Sequence, residues 1–392
     1  MGNEGENVQR LVPEFEKQNP GIKIKVQQIP WTAAHEKLLT AFAGNSLPDI
    51  CALGNTWIPE FSMLHALESL DGRIKRSDKI RPENYFAGIW DTNVIDSVAF
   101  GIPWYVDTRL IYYRTDILEK AGYSHAPRTW DEWYDVSGKI VRNAGRKDRY
   151  AVLLPTNEWA PFVIAGLESG SHLLKDGNRY GDFSGPEFSR SFAYLMRFYR
   201  DKLSPVGVTQ VTNIYQGISE GFFSMYITGP WNIGEFRRRL PAVLQDKWMT
   251  APMPGPSRGE PGVSLAGGSS IVLFAASKNK ESSWKFIEYL STVKRQVEFY
   301  DITGDLPAVA DAWKDTSLAN NKYIKAFYEQ LQHVVATPKI PEWERIAMKV
   351  QQYAELASTG SISEKESLDN LDKDVNTILE KHRWMMDRKR HD

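Results

Sequence analysis

Helix and strand patterns alternate along the start of the chain, and this order constrains the fold more than any other feature. Residues 8–15 carry apolar side chains at helical spacing, and Pro20-Gly21 ends that helix. In residues 22–29, apolar and polar side chains then alternate with the two-residue period of a half-covered strand. The pattern continues with a helix at 33–42, a short apolar strand at 49–53 and a helix at 57–67. Strands that alternate with helices predict an α/β fold with a parallel sheet covered by helices on both faces.

The same alternation returns after residue 110 and predicts a second α/β unit. Apolar strands at 150–154 and 221–228 flank helices at 160–170 and 187–202. The segment APMPGPSRGEPG, residues 251–262, is rich in proline and glycine and predicts an exposed loop. A strand at 269–276 and a helix capped by Asn279 follow, and the last 70 residues are mostly helical.

Composition excludes several classes of protein. With 392 residues, of which 42% are hydrophobic, the chain can bury a large core and is long enough for two or more domains. A formal net charge of −1 argues against a nucleic-acid partner, and the basic run at 381–391 is typical of a solvated helix terminus. No apolar run reaches the roughly 20 residues of a membrane span, and no signal segment stands at the start.

Cysteine and histidine are too sparse for structural cross-links or a metal centre. The single cysteine, Cys51, cannot form an internal disulfide. The histidines His35, His65, His125 and His172 are scattered singly, without metal-ligand spacing. We therefore expect neither a metal nor a cofactor.

Residues 101–122 place two rings and a carboxylate on a strand that leads directly into a helix. These residues are Trp104, Tyr105 and Asp107. A sugar has CH-rich faces that lie on aromatic rings and hydroxyls that need acceptors, so the combination suits a carbohydrate. An ordinary strand end is the alternative for this segment.

Five separated segments resemble, in order and over nearly the whole chain, the extracellular solute-binding proteins of ABC sugar importers, family 1, which include maltose- and trehalose-binding proteins. The segments are PEFEKQNPGIKIKV (13–26), LPDICALGNTW (47–57), GIPWYVDTRLIYYRTDILEKAG (101–122), FFSMYITGPWNIGEF (222–236) and GGSSIVLFAASKNKESSWKFIEYLS (267–291). GDLPAV (304–309) and TPKIPEWERIA (337–347) add two further matches.

The resemblance implies a two-lobed periplasmic-binding-protein fold with three hinge crossings and a ligand cleft between the lobes. The hinges would lie near 110–113, 268–272 and 310–314. Residues 1–110 with 272–310 would form the first lobe, and residues 114–268 with 314–392 the second. The family begins with a strand before its first helix, whereas residues 1–5 here resemble the loop that follows that strand. We therefore expect a sheet edge without a partner strand in the first lobe.

In the first lobe, the resemblance makes Trp104, Tyr105 and Asp107 ligand contacts, while Arg109 would orient Asp107 or form a pair across the cleft. Five further residues are candidates, and all but Glu4 have a structural alternative. Asn55 and Trp57 follow a strand, where ligands of α/β sheets usually lie, but could instead cap and pack the next helix. Glu4 lies where the family often has a sugar-binding carboxylate. Gly268 and Ser269 allow close backbone approach to a ligand, although glycines at a hinge would explain the pattern equally well.

In the second lobe, Asn157, Glu158 and Trp159 match the place where relatives of maltose-binding protein have an acceptor and a ring on the sugar. Trp231 follows Gly229-Pro230, which should open a helix whose first turn presents the indole. Trp343 and Glu342 could close the far end of the site, with core packing as the alternative for Trp343.

These observations predict a non-enzymatic, monomeric carrier in the periplasm or outside the cell. It would capture a disaccharide or short oligosaccharide, a maltose- or trehalose-type glucoside, by lobe closure and deliver it to membrane permease subunits. A glycoside hydrolase is one alternative and would need two carboxylates flanking the bond, for which Asp107 and Glu158 are the available pair. The same fold binding a polyamine, a phosphorylated glycerol or a metal complex is another.

Overall fold

The computed structural model describes residues 1–145, 149–206 and 213–389. The end of the basic run predicted at 381–391 lies outside these residues. In chain order the strands are β1 (Ile50–Gly54), β2 (Val94–Ile95), β3 (Val98–Ala99), β4 (Gly101–Asp107), β5 (Leu110–Arg114), β6 (Val152–Leu153), β7 (Leu174–Lys175), β8 (Tyr180–Gly181), β9 (Met225–Thr228), β10 (Trp248–Ala251), β11 (Ser264–Leu265), β12 (Gly267–Leu273), β13 (Leu306–Pro307) and β14 (Val334–Val335).

The helices account for most of the remaining chain. They are α1 (Gly2–Asn7), α2 (Val12–Gln18), α3 (Trp31–Ala43), α4 (Ile58–Met63), α5 (Asp71–Ile74), α6 (Ala87–Asp91), α7 (Thr115–Lys120), α8 (Trp130–Asn143), α9 (Ala160–Glu168), α10 (Pro186–Arg200), α11 (Ile214–Ser219), α12 (Trp231–Arg239), α13 (Lys280–Leu290), α14 (Val293–Thr303), α15 (Thr316–Ala319), α16 (Lys325–Leu331), α17 (Trp343–Ser358), α18 (Glu364–Ile378) and α19 (Glu380–Lys389). None of these described helices is long and apolar enough to cross a membrane.

The chain divides into two compact units, each built from separate stretches of sequence. Unit 1 is Met1–Asp107 with Ala266–Asn321, and unit 2 is Thr108–Leu265 with Lys322–Asp392. The chain therefore passes between the units after residues 107, 265 and 321, whereas the sequence placed hinges near 110–113, 268–272 and 310–314. The hinge positions remain predictions.

The third passage differs most from its predicted position. Residues 315–321, which the sequence placed in the second lobe, belong to unit 1. Side-chain contacts account for this, because the Trp313 indole donates to the Pro307 carbonyl and packs edge-on against Phe86, 5.8 Å between ring centroids. The Asn321 side-chain amide further donates to the Tyr300 hydroxyl.

Each unit has a central sheet with helices, which confirms the predicted α/β class, but the sheets are not the parallel sheets that the alternation predicted. In unit 1 the order is β1-β12-β4-β13, and every pair is antiparallel. In unit 2 the order is β10-β5-β9-β6, and only β6 and β9 are parallel. Strand direction depends on partners that are distant in sequence, since β12 inserts between β1 and β4 only after the chain has passed through unit 2.

Two predictions at the start of the chain are wrong. Residues 1–5 lie largely in α1 rather than in a loop, and residues 22–29 form neither a helix nor a strand. The predicted alternation is still visible in burial, with half-buried Ile22, Ile24 and Val26 between exposed neighbours. Strand β1 is an edge of its sheet, so no described strand pairs with its outer side.

Helix α8 shows how local sequence and tertiary packing agree in unit 2. The Thr129 hydroxyl accepts from the Glu132 amide, and the Glu132 carboxylate accepts from the Arg128 amide, so the side chains satisfy two backbone donors at the helix start. Buried Trp130 and Trp133 then recur at helical spacing and enter the core of the unit.

Glu168, the last residue of α9, is a carboxyl group buried in that core. The Trp130 indole N–H donates to Glu168 Oε2 at 2.9 Å, and Oε1 has no hydrogen-bond partner among the described residues. Burial raises the pKa of Glu168 well above its usual range, because the charged form loses its hydration. A carboxyl group with a raised folded-state pKa stabilises the fold most at acidic pH, and this contribution is lost as the pH rises.

We expect Glu168→Gln to raise the free energy of unfolding at pH 8 by about 1–2 kcal/mol and to have a smaller effect at pH 5, because the amide needs no proton to stay neutral. Urea unfolding followed by circular dichroism at both pH values measures this difference. Exposed Glu329 in α16 provides the control substitution Glu329→Gln, which should leave stability unchanged. Equal effects of Glu168→Gln at the two pH values would contradict the explanation.

Candidate functional site

In unit 1, a β-bulge brings Trp104 and Tyr105 together. Ser269 of β12 pairs with Tyr105 of β4, whereas Ser270 pairs with Pro103, so Trp104 is the extra residue. The two rings lie 5.7 Å apart between centroids. Trp104 is buried and stacks on Phe299 of α14, with 4.4 Å between the ring centroids.

Three carboxylates of unit 1 act electrostatically on Tyr105. Burial raises the pKa of its phenol well above the usual range, and the negative charges of Glu4, Asp305 and Asp107 raise it further, whereas a hydrogen bond with Ser269 opposes the shift. Three predicted site residues, Glu4, Asp107 and Ser269, therefore act on one phenol together with Asp305. A phenol both donates and accepts hydrogen bonds, so it can bind a hydroxyl group in more than one orientation.

The Gly267-Gly268 pair permits close packing of β12 against these residues. A Cβ atom on Gly267 would lie 2.4 Å from Asp107 Oδ1, and one on Gly268 would lie 2.3 Å from the Tyr105 carbonyl oxygen. Gly268 also has a φ of 130°, which side chains rarely adopt. The close backbone approach predicted here is made to β4, and a ligand contact at Gly268 stays a prediction.

Asn55 and Trp57 take different roles after β1. Asn55 is buried, and its side-chain amide donates to the Ala266 carbonyl at 2.7 Å. This hydrogen bond connects the end of β1 to the residue that precedes β12. It lies in a short 3₁₀ turn, and no side-chain cap is formed there. Trp57 is half-buried and meets Trp31 edge-on at 5.6 Å, and the Trp31 indole N–H donates to Glu4 Oε2 at 3.3 Å.

Sequence reasoning missed Trp31 and Asp305. Trp31 begins α3 and connects Glu4 to Trp57, a role that follows only from tertiary packing. Asp305 belongs to the segment GDLPAV, which matched the family but was not predicted to be part of the site. The pKa of Asp305 is raised from 3.8 to about 7. Burial is the largest cause, the charge of Glu4 is the next, and the charge of Asp107 adds to the shift.

In unit 2, two candidate residues, Trp231 and Glu158, are connected through contacts with Arg109. Trp231 begins α12 directly after Gly229-Pro230, as predicted, and is 45% exposed. Arg109 lies over its indole, with the guanidinium carbon 4.4 Å from the ring centroid. The Arg109 Nε atom is 3.9 Å from Glu158 Oε2.

Tyr226 of β9 belongs to the same part of unit 2. Burial raises the pKa of its phenol to about 12, the charge of Glu158 contributes, and a hydrogen bond with Thr228 and the positive charge of Arg109 oppose the shift. The arrangement places an exposed ring against the Arg109 guanidinium, which also lies near the Glu158 carboxylate. It is suited to stacking and hydroxyl recognition.

The other unit 2 candidates lie at different depths. Asn157 is exposed, and half-buried Trp159 meets Trp343 edge-on at 5.6 Å. Trp343 is only 1% exposed and lies in the core of the unit, which favours the packing alternative for this residue. Glu342 is buried, with Oε2 3.3 Å from His382 Nδ1.

Among the described residues, no group of three or more His, Cys, Asp or Glu side chains is arranged to hold a metal ion. The two proposed hydrolytic carboxylates, Asp107 and Glu158, belong to different units.

Comparison with known proteins identifies the family. The family model of bacterial extracellular solute-binding proteins matches residues 2–297, so the chain belongs to this family. The sugar-binding protein MalE from Xanthomonas citri is 46% identical, with a TM-score of 0.95 over 99% of this chain and 98% of that one. The galactooligosaccharide-binding protein of Bacillus subtilis is 25% identical over 92% of this chain and 84% of its own length.

A third comparison supports the same architecture. An ABC transporter solute-binding protein from Thermotoga lettingae, solved with α-D-tagatose, is 25% identical with a TM-score of 0.78, over 95% of this chain and 96% of that chain. The family resemblance predicted from the sequence is therefore confirmed.

We predict that the Asp305 carboxyl titrates near pH 7, since its pKa is raised to about 7. A ¹³C NMR titration of the side-chain carboxyls measures the midpoint. Glu4→Gln should lower this midpoint more than Asp107→Asn, because Glu4 is the larger of the two charge effects. The protonated form stabilises unit 1 at acidic pH, and this contribution is lost as the pH rises through about 7.

The matched control for the Asp305 titration is Glu6→Gln, which removes an exposed charge from the same helix as Glu4 and should leave the midpoint unchanged. A midpoint near the ordinary aspartate value of about 4 would contradict the burial of this group.

Proposed function

We propose that this protein is the carbohydrate-binding component of an ABC importer. The observation that carries the proposal is the exposed indole of Trp231 in contact with the Arg109 guanidinium, whose Nε lies 3.9 Å from the Glu158 carboxylate. A stacking surface and a hydroxyl acceptor are thus joined through one side chain. Membership of the solute-binding family and the sugar-binding relatives support it. The same support favours a carrier rather than an enzyme.

The ligand class is a disaccharide or short oligosaccharide, with a maltose- or trehalose-type glucoside as the specific candidate. Rings provide much of the affinity, whereas polar groups select the sugar, because a buried acceptor left without a partner costs about 1–3 kcal/mol. In unit 1 this selecting role falls to Asp107, Glu4 and Tyr105. In unit 2 it falls to Glu158 and Asn157.

Transport requires that the membrane permease distinguish the liganded protein from the unliganded protein. A bound sugar stabilises the conformation of the protein in which it makes the most contacts, and so shifts the population toward that conformation. Permease subunits in the membrane would recognise this liganded form and receive the sugar. The proposed location is the periplasm or the outer face of the cell, where a monomeric carrier meets both its sugar and the permease.

A thermal-shift panel tests the ligand class. At 100 times its dissociation constant, a sugar that binds only the folded protein adds about 2.7 kcal/mol and should raise the Tm by a few degrees. Maltose, trehalose and short maltodextrins form the test set, and spermidine and glycerol 3-phosphate represent the non-sugar ligands. A shift with a non-sugar alone would contradict the carbohydrate assignment, and release of reducing sugar during incubation would contradict the assignment as a carrier.

Replacement of Trp231 by alanine should weaken sugar binding at least tenfold, about 1.4 kcal/mol, without unfolding the protein, because the side chain is exposed. Isothermal titration calorimetry measures the affinity. Trp384 in α19 is a matched control, since it is 53% exposed and has the Arg388 guanidinium 4.1 Å from its ring. Unchanged affinity in Trp231→Ala would remove this residue from the site.

A further inference from the structure

Arg109 links the ring and the carboxylate of the unit 2 site through a single side chain. Its guanidinium carbon lies 4.4 Å from the Trp231 ring centroid, and its Nε lies 3.9 Å from Glu158 Oε2. The Arg109 side chain is 20% exposed, so it is the most buried of the three. A planar guanidinium can stack on an indole and still direct its N–H groups toward a carboxylate.

The backbone of Arg109 is itself held in place. The Ser264 hydroxyl donates to the Arg109 carbonyl at 2.7 Å, and the next residue, Leu110, begins β5 in the centre of the sheet. The guanidinium therefore projects from a fixed point in the fold. A side chain anchored in this way can restrain an exposed neighbour.

Gly229 supplies the space that the indole occupies. A Cβ atom at this position would lie 2.0 Å from Trp231 Cζ3 and 2.3 Å from Cη2, so the ring lies where any other side chain would begin. The Tyr112 hydroxyl donates to the Gly229 carbonyl at 2.8 Å and fixes the backbone there. The indole is thus in contact with a fixed backbone as well as with Arg109.

We propose that Arg109 is a positioning residue that holds the Trp231 indole in its ligand-binding orientation and couples it to Glu158. The inference rests on the proposed function, because it assigns the orientation of the stacking surface in that same site. Without Arg109, the exposed indole gains rotamer freedom, and part of the binding free energy is then spent on ordering it. Arg109 acts through Trp231 and does not need to touch the sugar.

A double-mutant cycle separates positioning from direct contact. Arg109→Ala should weaken sugar binding about five- to tenfold, and the double variant Arg109→Ala/Trp231→Ala should bind within about twofold of Trp231→Ala alone. Arg109→Lys should resemble Arg109→Ala, because an ammonium group cannot stack as a guanidinium does. Effects that multiply in the double variant would show an independent contact and overturn the inference.

A second measurement needs no ligand. The fluorescence of Trp231, obtained by subtracting the spectrum of each Trp231→Ala variant from its parent, should change in intensity and wavelength when Arg109 is replaced. The matched control is Arg388→Ala, which removes a similar stacked arginine from Trp384 and should leave the Trp231 difference spectrum unchanged. An unaltered Trp231 spectrum in Arg109→Ala would overturn the inference whatever the binding data show.

The outcomes distinguish the two proposals. If Trp231→Ala weakens sugar binding but Arg109→Ala does not, the positioning role fails and the carbohydrate assignment stands. If no sugar binds to the unsubstituted protein, the proposed function fails, and the fluorescence comparison still decides whether Arg109 orients the indole.

Discussion

The insertion of β12 between β1 and β4 is the contact on which the organisation of the candidate site depends. It returns the chain to unit 1 after the whole segment Thr108–Leu265 and makes that unit discontinuous. The same strand contributes the Gly267-Gly268 backbone that packs on Asp107 and Tyr105, and the bulge in β4 opposite it brings Trp104 beside Tyr105. One inserted strand therefore determines both the connectivity of the unit and the placement of its candidate ligand residues.

Local sequence predicted the elements better than it predicted their partners. The α/β class and the helix that opens at Trp231 followed from spacing and turn residues, because neighbours in sequence decide them. The direction of the strands did not follow, since the partners of β4 and β5 come from residues more than a hundred positions away. The alternation in 22–29 was a correct guide to burial but not to strand pairing, because a ladder also needs a partner.

The candidate site shows the same division. Rings and carboxylates with recognisable local settings, such as Tyr105, Asp107 and Trp231, could be selected from the sequence, and the structure places the first two on one strand and the third at a helix start. Trp31 and Asp305 could not be selected from the sequence. Trp31 is connected to the site by its hydrogen bond to Glu4, and Asp305 is distinguished by its burial and by the charge of Glu4. Burial also separates Trp343, which lies in the core, from Trp231.

The central claim is that the exposed Trp231 indole of unit 2 is a stacking surface for a sugar. A crystal structure of the protein with the sugar that gives the largest thermal shift tests this most directly. The predicted result is a sugar ring stacked on Trp231, with hydroxyl groups of the same molecule within hydrogen-bond distance of the Glu158 carboxylate. A sugar that binds away from Trp231 would contradict it.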